Sequence, residues 1–383
     1  MFKVVVAPDK FRGSLSAPQA ARAMARGVSS VLSDTLIDEV PMADGGEGTV
    51  DALVVATFGT LKTILVTDPL GRPVLATYGI LGDGSTVVIE MASASGLALV
   101  PFDRRDPAIT TTRGTGELLR EAISIGARRV ILGIGGSATN DGGAGFAQAL
   151  GYRLLDHAGR EIGPGGGALA NLARIDASKR DPRIGEVVVE VACDVENPLC
   201  GSKGASAVYG PQKGADAALI ARLDQNLDHF ASIIERDLGV NVRDLPGAGA
   251  AGGLGAGLVA FAQGRLQGGV SLVIQAVGLA DRLRNADLCL TGEGAIDASS
   301  AFGKTAIGVG RCAQSLNCPT IAIAGTLGKG ADDVLTLGID AIFSICPGPT
   351  SLKEAIANAS ELLERASAQA VRAFLAGKRK AGK

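Results

Sequence analysis

Five short segments place charged or hydroxyl side chains directly after apolar runs, where they could carry chemistry. They are 8–14 (PDKFRGS), 43–49 (ADGGEGT), 135–145 (GGSATNDGGAG), 193–201 (CDVENPLCG) and 291–305 (TGEGAIDASSAFGKT). Open α/β sheets bind ligands beyond the carboxyl ends of their strands. Together, the five segments predict a site for a charged, highly polar ligand.

The 135–145 segment surrounds small polar residues with glycines immediately after the apolar run 130–132. Successive glycines can direct backbone N–H groups at phosphate oxygens, and hydroxyl groups can donate beside them. The predicted phosphate-binding residues are Gly135, Gly136, Ser137, Thr139, Asn140, Gly142 and Gly143. Asp141 would repel phosphate unless a cation neutralised it, which suggests Mg²⁺. The alternative interpretation is a tight structural connection.

Two further segments precede predicted helices. Lys10 and Arg12 flank a helix start, where an anion is favoured, although a solvated loop explains them equally well. Asp44 and Glu47 come before the next helix and could serve only as turn and cap residues.

The last two segments supply carboxylates and a lysine. Asp194 ends a buried strand and is predicted as a base or metal ligand, with turn capping as the alternative. Glu293, Asp297 and Lys304 lie on a strand-to-helix connection, and a lysine at a helix start can meet a phosphate. The chain has Ala298 where the GxxxxGK[ST] motif requires glycine, so this is not a Walker A loop.

Composition narrows the class of protein. A chain of 383 residues predicts two domains, and a net charge of −2 offers no electrostatic attraction to nucleic acid. With His157 and His229 as the only histidines, a zinc site or a Ser-His-Asp triad is disfavoured and acid–base work falls to carboxylates. We expect no signal peptide, no membrane span, and a cytoplasmic protein with reduced cysteines; a homo-oligomer stays open.

The elements that must position these residues follow an α/β pattern. Residues 3–7 form a continuous apolar strand, Ser16 and Gln19 match a capping box, and 61–92 alternates as short antiparallel strands. The uncharged stretch 245–263 is predicted as a buried glycine-rich helix with the loop before it. We expect a doubly wound domain from residues 1–60 and 284–383, interrupted by an inserted α/β domain with a mixed sheet over 61–283.

A dinucleotide-dependent oxidoreductase is the competing interpretation. Residues 133–138 (GIGGSA) fit GxGxxA after a strand, and Asp156 lies near the position of a ribose-binding acid. Against this, the TNDGG sequence interrupts the helix that should begin there, and Asp141 would repel an unneutralised pyrophosphate. The second match, 247–252 (GAGAAG), follows no buried strand and is weak.

The motifs carry a family resemblance. The motifs occur in the order APDKFRGSLSA, PMADGGEGT, TTRGTGELL, LGIGGSATNDGGAG, ACDVENPLCG, GPQKGA, PGAGAAGGLGAGL and LTGEGAIDASSAFGK, and the likeness runs from residue 3 to about 375. The chain thereby resembles the bacterial glycerate kinase type 1 family. The resemblance implies a flavodoxin-like domain interrupted by a second α/β domain. It also implies transfer of the ATP γ-phosphoryl group to D-glycerate, usually giving 2-phosphoglycerate.

For this reaction we expect each candidate residue to have a role. The glycine-rich loop would hold ATP with Mg²⁺, and the metal candidates are Asp44, Asp141 and Glu293. Lys10 or Arg12 would hold the glycerate carboxylate, and the wider substrate-binding set is Asp9, Lys10, Arg12, Ser14 and Asn197. The catalytic candidates are Asp194 or Asp297 as the base and Lys304 as the cation beside the transferring group.

The chain departs from the family pattern in one loop. Ala295, Ser299 and Phe302 stand where relatives commonly have arginine, glutamine and histidine. Lys10 is a candidate for the charge that Ala295 lacks. The departure leaves open the substrate range, a 3-phosphoglycerate-forming kinase, and a ligand sensor without turnover.

Overall fold

The structure of the protein, a computed structural model, describes residues 1–302 and 304–381. In chain order the strands are β1 (Phe2–Pro8), β2 (Thr35–Glu39), β3 (Thr60–Thr67), β4 (Pro73–Ile80), β5 (Thr86–Glu90), β6 (Arg129–Gly133), β7 (Arg153–Leu155), β8 (Arg174–Asp176), β9 (Val188–Ala192), β10 (Arg265–Gln267), β11 (Leu288–Ile296), β12 (Thr320–Leu327) and β13 (Ala341–Ser344).

The α-helices alternate with these strands along most of the chain. They are α1 (Ala17–Ser29), α2 (Thr49–Ala56), α3 (Ala92–Ser95), α4 (Arg113–Ser124), α5 (Ala144–Ala149), α6 (Ala205–Tyr209), α7 (Ala217–Leu238), α8 (Ala250–Ala262), α9 (Gly269–Ala276), α10 (Leu279–Leu283), α11 (Thr305–Gln314), α12 (Leu352–Ala357) and α13 (Ala359–Ala381). The α/β class predicted from the sequence is confirmed. None of the helices in the described ranges combines the length and the apolar character needed to cross a membrane.

The chain divides into two compact units. The first contains residues 1–44, 51–58 and 270–383, and the second contains residues 45–50 and 59–269.

The first unit contains a fully parallel sheet with the strand order β13-β12-β11-β1-β2. Counted within the unit, this is the 2-1-3-4-5 order of doubly wound sheets such as that of flavodoxin. Val4, Val5 and Val6 of β1 have no exposed surface, because helices cover both faces of a parallel sheet. The strand order reverses between β1 and β11, and this reversal opens a crevice at their carboxyl ends.

Helix α1 begins as the sequence predicts. The Ser16 hydroxyl accepts a hydrogen bond from the Gln19 backbone, and the Gln19 side chain accepts one from the Ser16 backbone. This capping box satisfies N–H groups that the first helical turn leaves without partners. The helix therefore starts directly after the loop that carries Lys10 and Arg12.

The second unit contains a mixed sheet with the order β10-β9-β6-β5-β4-β3. Strands β5, β6, β9 and β10 are parallel, whereas β3, β4 and β5 pair antiparallel, as the alternation over 61–92 predicts. A separate two-stranded sheet joins β7 and β8. Aromatic rings support this core: the Phe230 and Phe261 rings stack at 6.0 Å, and Tyr152 meets Phe261 edge-on at 5.0 Å.

Helix α8 is the buried glycine-rich helix that the sequence predicts, with a kink near its start. Ala251, Gly252 and Gly253 have φ angles of +54°, +70° and +88°. A Cβ atom on Gly252 would lie 1.9 Å from the Thr139 carbonyl oxygen, so only glycine allows this approach. Glycine at this position therefore serves the packing of one backbone segment against another.

Candidate active site

Asp9 and Glu293 lie at the carboxyl edge of the first unit's sheet. Asp9 directly follows β1, and its backbone N–H donates to the Gly292 carbonyl oxygen at 2.8 Å. Gly292 pairs with Pro8 across β1 and β11, so Glu293 is the next residue along its strand. Both acids stand where the strand order reverses, the position at which open α/β sheets bind ligands.

The Asp9 carboxylate is held from two sides. Its Oδ2 accepts a hydrogen bond from the Thr305 hydroxyl at 2.6 Å, and its Oδ1 accepts one from the Lys10 backbone N–H at 2.6 Å. Burial raises the pKa of Asp9 and the negative charge of Asp44 adds to the shift, while both hydrogen bonds oppose it. The side chain is thus fixed, and only 7% of the residue is exposed.

Glu293 is a largely buried carboxylate with incomplete hydrogen bonding. Its Oε2 lies 3.9 Å from the Lys304 ammonium, and its Oε1 has no hydrogen-bond partner in the described part of the chain. Burial raises the pKa of Glu293 to about 7; the Lys304 charge and a hydrogen bond from the Ser300 side chain oppose the shift, whereas Asp9 and Asp297 add to it. A carboxyl group that titrates near neutral pH is suited to accept a proton during a reaction.

Two lysines accompany these acids. The set, here named the acid–lysine cluster, consists of Asp9, Lys10, Asp44, Glu293 and Lys304. The Lys10 ammonium lies 3.9 Å from Asp44 Oδ1. The Lys304 ammonium donates to the Ser300 hydroxyl at 3.4 Å, and Lys304 is the N-cap residue of α11. Both carboxylate–ammonium distances exceed that of a charge-assisted hydrogen bond.

Arg12 and Ser14, which the sequence predicts as substrate-binding residues, differ in their surroundings. Arg12 is exposed at the surface, where its guanidinium can reach a ligand. The Ser14 hydroxyl donates to the Phe11 carbonyl oxygen at 2.9 Å and closes a tight turn. The hydroxyl proton that Ser14 would donate to a substrate is therefore used in a hydrogen bond that stabilises the loop.

Asp297 is stabilised as an ionised carboxylate. The Ser299 backbone N–H and hydroxyl both donate to its Oδ1, at 2.8 Å and 2.5 Å. The side-chain hydrogen bond from Ser299 is the main cause that lowers the pKa of Asp297. A carboxylate with a lowered pKa is a weak proton acceptor, so the structure argues against Asp297 as the base.

The departures from the family pattern fall around this turn. Ala295 is exposed and lies two residues after Glu293 in β11, so the two share a face of the strand. Ser299 forms the hydrogen bonds to Asp297 given above. The side chain of Phe302 lies outside the described part of the structure.

The glycine-rich segment of the second unit begins with a loop, residues 135–137, in which the two glycines are exposed and Ser137 is buried. Gly135 and Gly136 are exposed, and the φ of +75° at Gly136 favours glycine. The Leu97 N–H donates to the Gly136 carbonyl oxygen at 2.8 Å, and Ser137 pairs with Gly96 in a single β-bridge. The loop is therefore anchored to its neighbours and open at its surface.

Lys213 supports this loop, and sequence reasoning did not select it. The residue is 1% exposed, and its ammonium donates to the Ser137 hydroxyl oxygen at 2.6 Å and to the Thr139 carbonyl oxygen at 2.7 Å. Burial lowers the pKa of Lys213 to about 7, while the charge of Asp141 acts in the opposite direction. A lysine between Gln212 and Gly214 in a turn-rich stretch is expected at the surface, so the sequence contains no signal for its burial.

Asp141 is enclosed by protein donors. Its Oδ2 accepts from the Thr112 N–H and hydroxyl, both at 2.9 Å, and from the Gly145 N–H at 3.2 Å. Its Oδ1 accepts from the Gly143 N–H at 3.2 Å. Burial raises the pKa of Asp141, and these hydrogen bonds oppose the shift. The residue has 0% exposure, and its carboxylate ties the start of α5 to the loop before α4. This enclosure argues against the predicted role of Asp141 as a metal ligand, which stays a prediction.

Gly142 and Gly143 serve packing. The Gly142 N–H donates to the Gly252 carbonyl oxygen at 3.1 Å, and the Gly143 N–H is used by Asp141. A Cβ atom on Gly142 would lie 2.7 Å from the Phe230 ring. Because both N–H groups already have partners, the structure argues against the predicted phosphate contacts of these two residues.

Thr139 and Asn140 are also fully buried. Both have 0% exposure, and the Asn140 amide donates to the Ser206 hydroxyl at 2.9 Å. The Thr139 hydroxyl and the Asn140 side-chain oxygen lack hydrogen-bond partners among the described residues. Because both side chains are fully buried, the structure argues against direct nucleotide contact by either of them.

Asp194 and Asn197 hold the chain after β9. Asp194 is exposed, and its Oδ1 accepts from the Gly269 N–H at 2.8 Å. The Asn197 amide donates to the Lys203 carbonyl oxygen at 2.8 Å, and its oxygen accepts from the Tyr209 hydroxyl at 2.7 Å. Both ends of the Asn197 side chain are engaged in the turn, which argues against the predicted substrate contact.

Metal binding by protein ligands alone is not supported among the described residues. They contain no group of three His, Cys, Asp or Glu side chains arranged to hold a metal ion. Mg²⁺ in phosphoryl-transfer sites uses one or two carboxylates together with substrate phosphates. The exposed Asp44 carboxylate fits that kind of site, whereas Asp141 does not.

The doubly wound sheet and the acid–lysine cluster at its reversal point define an α/β enzyme that handles a polar anion. Comparison with known proteins then gives the family. The model of the glycerate kinase family matches residues 4–375. The chain is 55% identical to a glycerate kinase of Bacillus subtilis over 95% of each chain. It is 50% identical to the glycerate 2-kinase of Escherichia coli over 99% of this chain and 100% of that protein.

A solved structure agrees. A crystal structure assigned as glycerate kinase 2 from Salmonella typhimurium LT2 superposes with a TM-score of 0.91 at 48% identity, covering 99% of both chains. The chain belongs to the glycerate kinase family, and it is a kinase. The predicted family and kinase class are confirmed. The oxidoreductase alternative is not favoured, and Asp156, its predicted ribose ligand, lies in a turn where it bonds Arg160.

Proposed function

We propose that this kinase transfers the γ-phosphoryl group of ATP to the 2-hydroxyl group of D-glycerate and releases 2-phosphoglycerate. The similarity to the Escherichia coli glycerate 2-kinase over the full chain supports the substrate and the position. The observation that carries the chemistry is the acid–lysine cluster at the sheet edge. It combines a proton acceptor with cations. Phosphoryl transfer to a hydroxyl group of a carboxylic acid requires both.

Glu293 takes the role of the general base. Its burial raises its pKa to about 7, and its Oε1 has no hydrogen-bond partner among the described residues. Such a carboxylate can accept the hydroxyl proton as the oxygen attacks phosphorus. This assignment replaces Asp297, whose pKa is lowered, and Asp194, whose Oδ1 holds the Gly269 N–H.

The lysines and Arg12 supply the positive charge. Lys10 and the exposed Arg12 sit on the loop between β1 and α1 and bind the glycerate carboxylate. Lys304 stabilises negative charge on the transferring phosphoryl group from the start of α11. Phosphoryl transfer depends on positioning and charge neutralisation, so fixed cations of this kind are its main requirement.

The loop 135–137, whose two glycines are exposed, binds the nucleotide phosphates. Gly135 and Gly136 present backbone without side chains, and the hydroxyl of Ser137 can donate to a phosphate oxygen. This keeps the first part of the phosphate-binding segment predicted from the sequence.

Mg²⁺ accompanies the nucleotide, and Asp44 would hold it together with phosphate oxygens. The side chain of Asp44 is 47% exposed, so a hydrated cation can reach it. The ion supplies charge neutralisation of the phosphates.

The test is a product assay by ³¹P NMR with ATP, Mg²⁺ and D-glycerate. We expect one phosphomonoester signal that matches 2-phosphoglycerate, and no turnover with L-glycerate as the matched control. A signal at the position of 3-phosphoglycerate would overturn the regiochemistry. ATP consumption that does not depend on glycerate would contradict the assignment of D-glycerate as the substrate.

A further inference from the structure

The ammonium group of Lys213 is buried and contacts the loop 135–137 from the interior of the protein. Its Nζ donates to Ser137 Oγ at 2.6 Å and to the Thr139 carbonyl oxygen at 2.7 Å. Lys213 ends a short 3₁₀-helix, Pro211–Lys213, and Ser137 itself is 7% exposed. The lysine therefore acts on the loop through Ser137 and the backbone.

The chemistry of the two groups fixes the direction of this hydrogen bond. An ammonium group has donors and no acceptor, so the Ser137 oxygen must accept from Lys213. The hydroxyl proton of Ser137 then points away from the lysine and is available to an acceptor elsewhere. A neutral amine could instead accept that proton and turn the hydroxyl inward.

We propose that Lys213 is a positioning residue for nucleotide binding: its ammonium orients the Ser137 hydroxyl as a donor to a nucleotide phosphate and holds the loop through Thr139. The inference rests on the proposed function, because it takes loop 135–137 as the phosphate-binding element. The buried positive charge also attracts the polyphosphate, since charges interact strongly where water is excluded.

The surroundings of Lys213 bring its pKa close to neutral pH. Burial lowers its pKa to about 7, and the negative charge of Asp141 limits the shift. Arg105 donates to the carbonyl oxygen of Gln212, the residue before Lys213, at 3.5 Å. Loss of the Lys213 proton as the pH rises through about 7 therefore removes the Ser137 orientation and the charge together.

The first experiment separates nucleotide binding from turnover. We compare Lys213→Met, Ser137→Ala and the double variant by steady-state kinetics and by calorimetric binding of Mg–ADP. Each single variant should weaken nucleotide affinity roughly tenfold, the effect of a charge-assisted hydrogen bond, with the KM for glycerate unchanged. The double variant should be no weaker than Lys213→Met, because the two residues act as one unit. The matched control, Lys353→Met, changes an exposed lysine of α12.

The second experiment uses pH. Wild-type affinity for Mg–ADP should fall as the pH rises through about 7. Lys213→Arg stays charged, so it should bind Mg–ADP more tightly than Lys213→Met does, and its affinity should not depend on pH in this range. Titration of the nucleotide itself is common to both proteins and cancels in the comparison. A parallel pH dependence in both proteins would overturn the inference.

The outcomes distinguish the two proposals. If Ser137→Ala weakens nucleotide binding and Lys213→Met does not, the role of Lys213 is wrong while the loop assignment stands. If neither variant affects nucleotide binding, the loop assignment of the proposed function fails as well. Should Lys213→Met fail to fold, Ser137→Ala and the wild-type against Lys213→Arg pH comparison decide the question.

Discussion

Asp141 and Glu293 are both buried carboxylates with raised pKa values, yet their surroundings differ in kind. Asp141 accepts four hydrogen bonds from backbone and hydroxyl donors. Glu293 has an ammonium group at 3.9 Å and one oxygen with no hydrogen-bond partner among the described residues. A fully buried carboxylate whose two oxygens both accept hydrogen bonds from its own protein holds structure together. One with unused capacity at a sheet edge is placed to act on a ligand.

The largest effect is expected at Glu293, the carboxylate with an oxygen that has no hydrogen-bond partner among the described residues. Glu293→Gln should lower kcat by about 10²- to 10⁴-fold, the usual contribution of a general base. The melting temperature should stay near that of the wild type, because the change leaves no buried charge without a partner. Steady-state kinetics and thermal unfolding measure the two quantities, with the exposed Glu361→Gln as the matched control.

The pH profile sharpens the same prediction. Glu293 accepts a proton only when ionised, and its pKa is raised to about 7. In the wild type, kcat should therefore rise about tenfold per pH unit below 7 and level off above it. Glu293→Gln should abolish this rise. A profile that keeps its midpoint in the variant would assign the base role to another group.

The same chemical change at Asp141 should act on stability. Asp141→Asn turns an amide NH₂ toward N–H donors in a fully buried place and should lower the free energy of unfolding by about 3–5 kcal/mol. Urea denaturation measures this loss, and the exposed Asp103→Asn serves as the control. At a temperature where the variant is folded, its Mg²⁺ requirement should equal that of the wild type. A raised Mg²⁺ requirement with normal stability would restore Asp141 as a metal ligand.

Gly142→Ala should show a smaller loss of the same kind. The new Cβ would lie 2.7 Å from the Phe230 ring at a φ of +62°, so we expect about 1–3 kcal/mol of destabilisation. Gly163→Ala is the matched control, because a Cβ atom there meets nothing within 4 Å. Equal unfolding midpoints for the two variants would contradict the packing role of Gly142.

The smallest effect is expected at Asp297. Asp297→Asn should keep kcat within about twofold of the wild type, because a carboxylate whose pKa is lowered is a weak proton acceptor and is not the base. Initial-rate measurements at saturating ATP and glycerate test this expectation. A loss comparable to that of Glu293→Gln would return the base role to Asp297.

Much of the fold could be predicted from local patterns. The apolar run 3–7, the capping box at Ser16 and the alternation over 61–92 each depend on neighbouring residues, and the structure contains all three. The acid–lysine cluster was also within reach, since Asp9, Lys10, Asp44, Glu293 and Lys304 all follow strands or precede helices. Parallel strands bring their carboxyl ends to one edge, so position along the chain was informative.

The roles within the sites depended on burial, which the local sequence does not encode. Gly135 and Gly142 are similar by sequence, but α7 and α8 cover only the second of them. Lys213 was missed because nothing near it along the chain predicts that a lysine is buried beneath Ser137.

The sequence by itself determined the α/β class, the kinase family and the segments that carry charge. The α/β class and the charged segments follow from periodicity and from the spacing of turn residues. The kinase family follows from the resemblance of motifs that are continuous along the chain. Only the tertiary structure decided which carboxylate retains unused hydrogen-bonding capacity and which is enclosed. Burial and hydrogen bonding depend on residues far apart in the chain, such as Thr112 with Asp141 or Asp9 with Thr305.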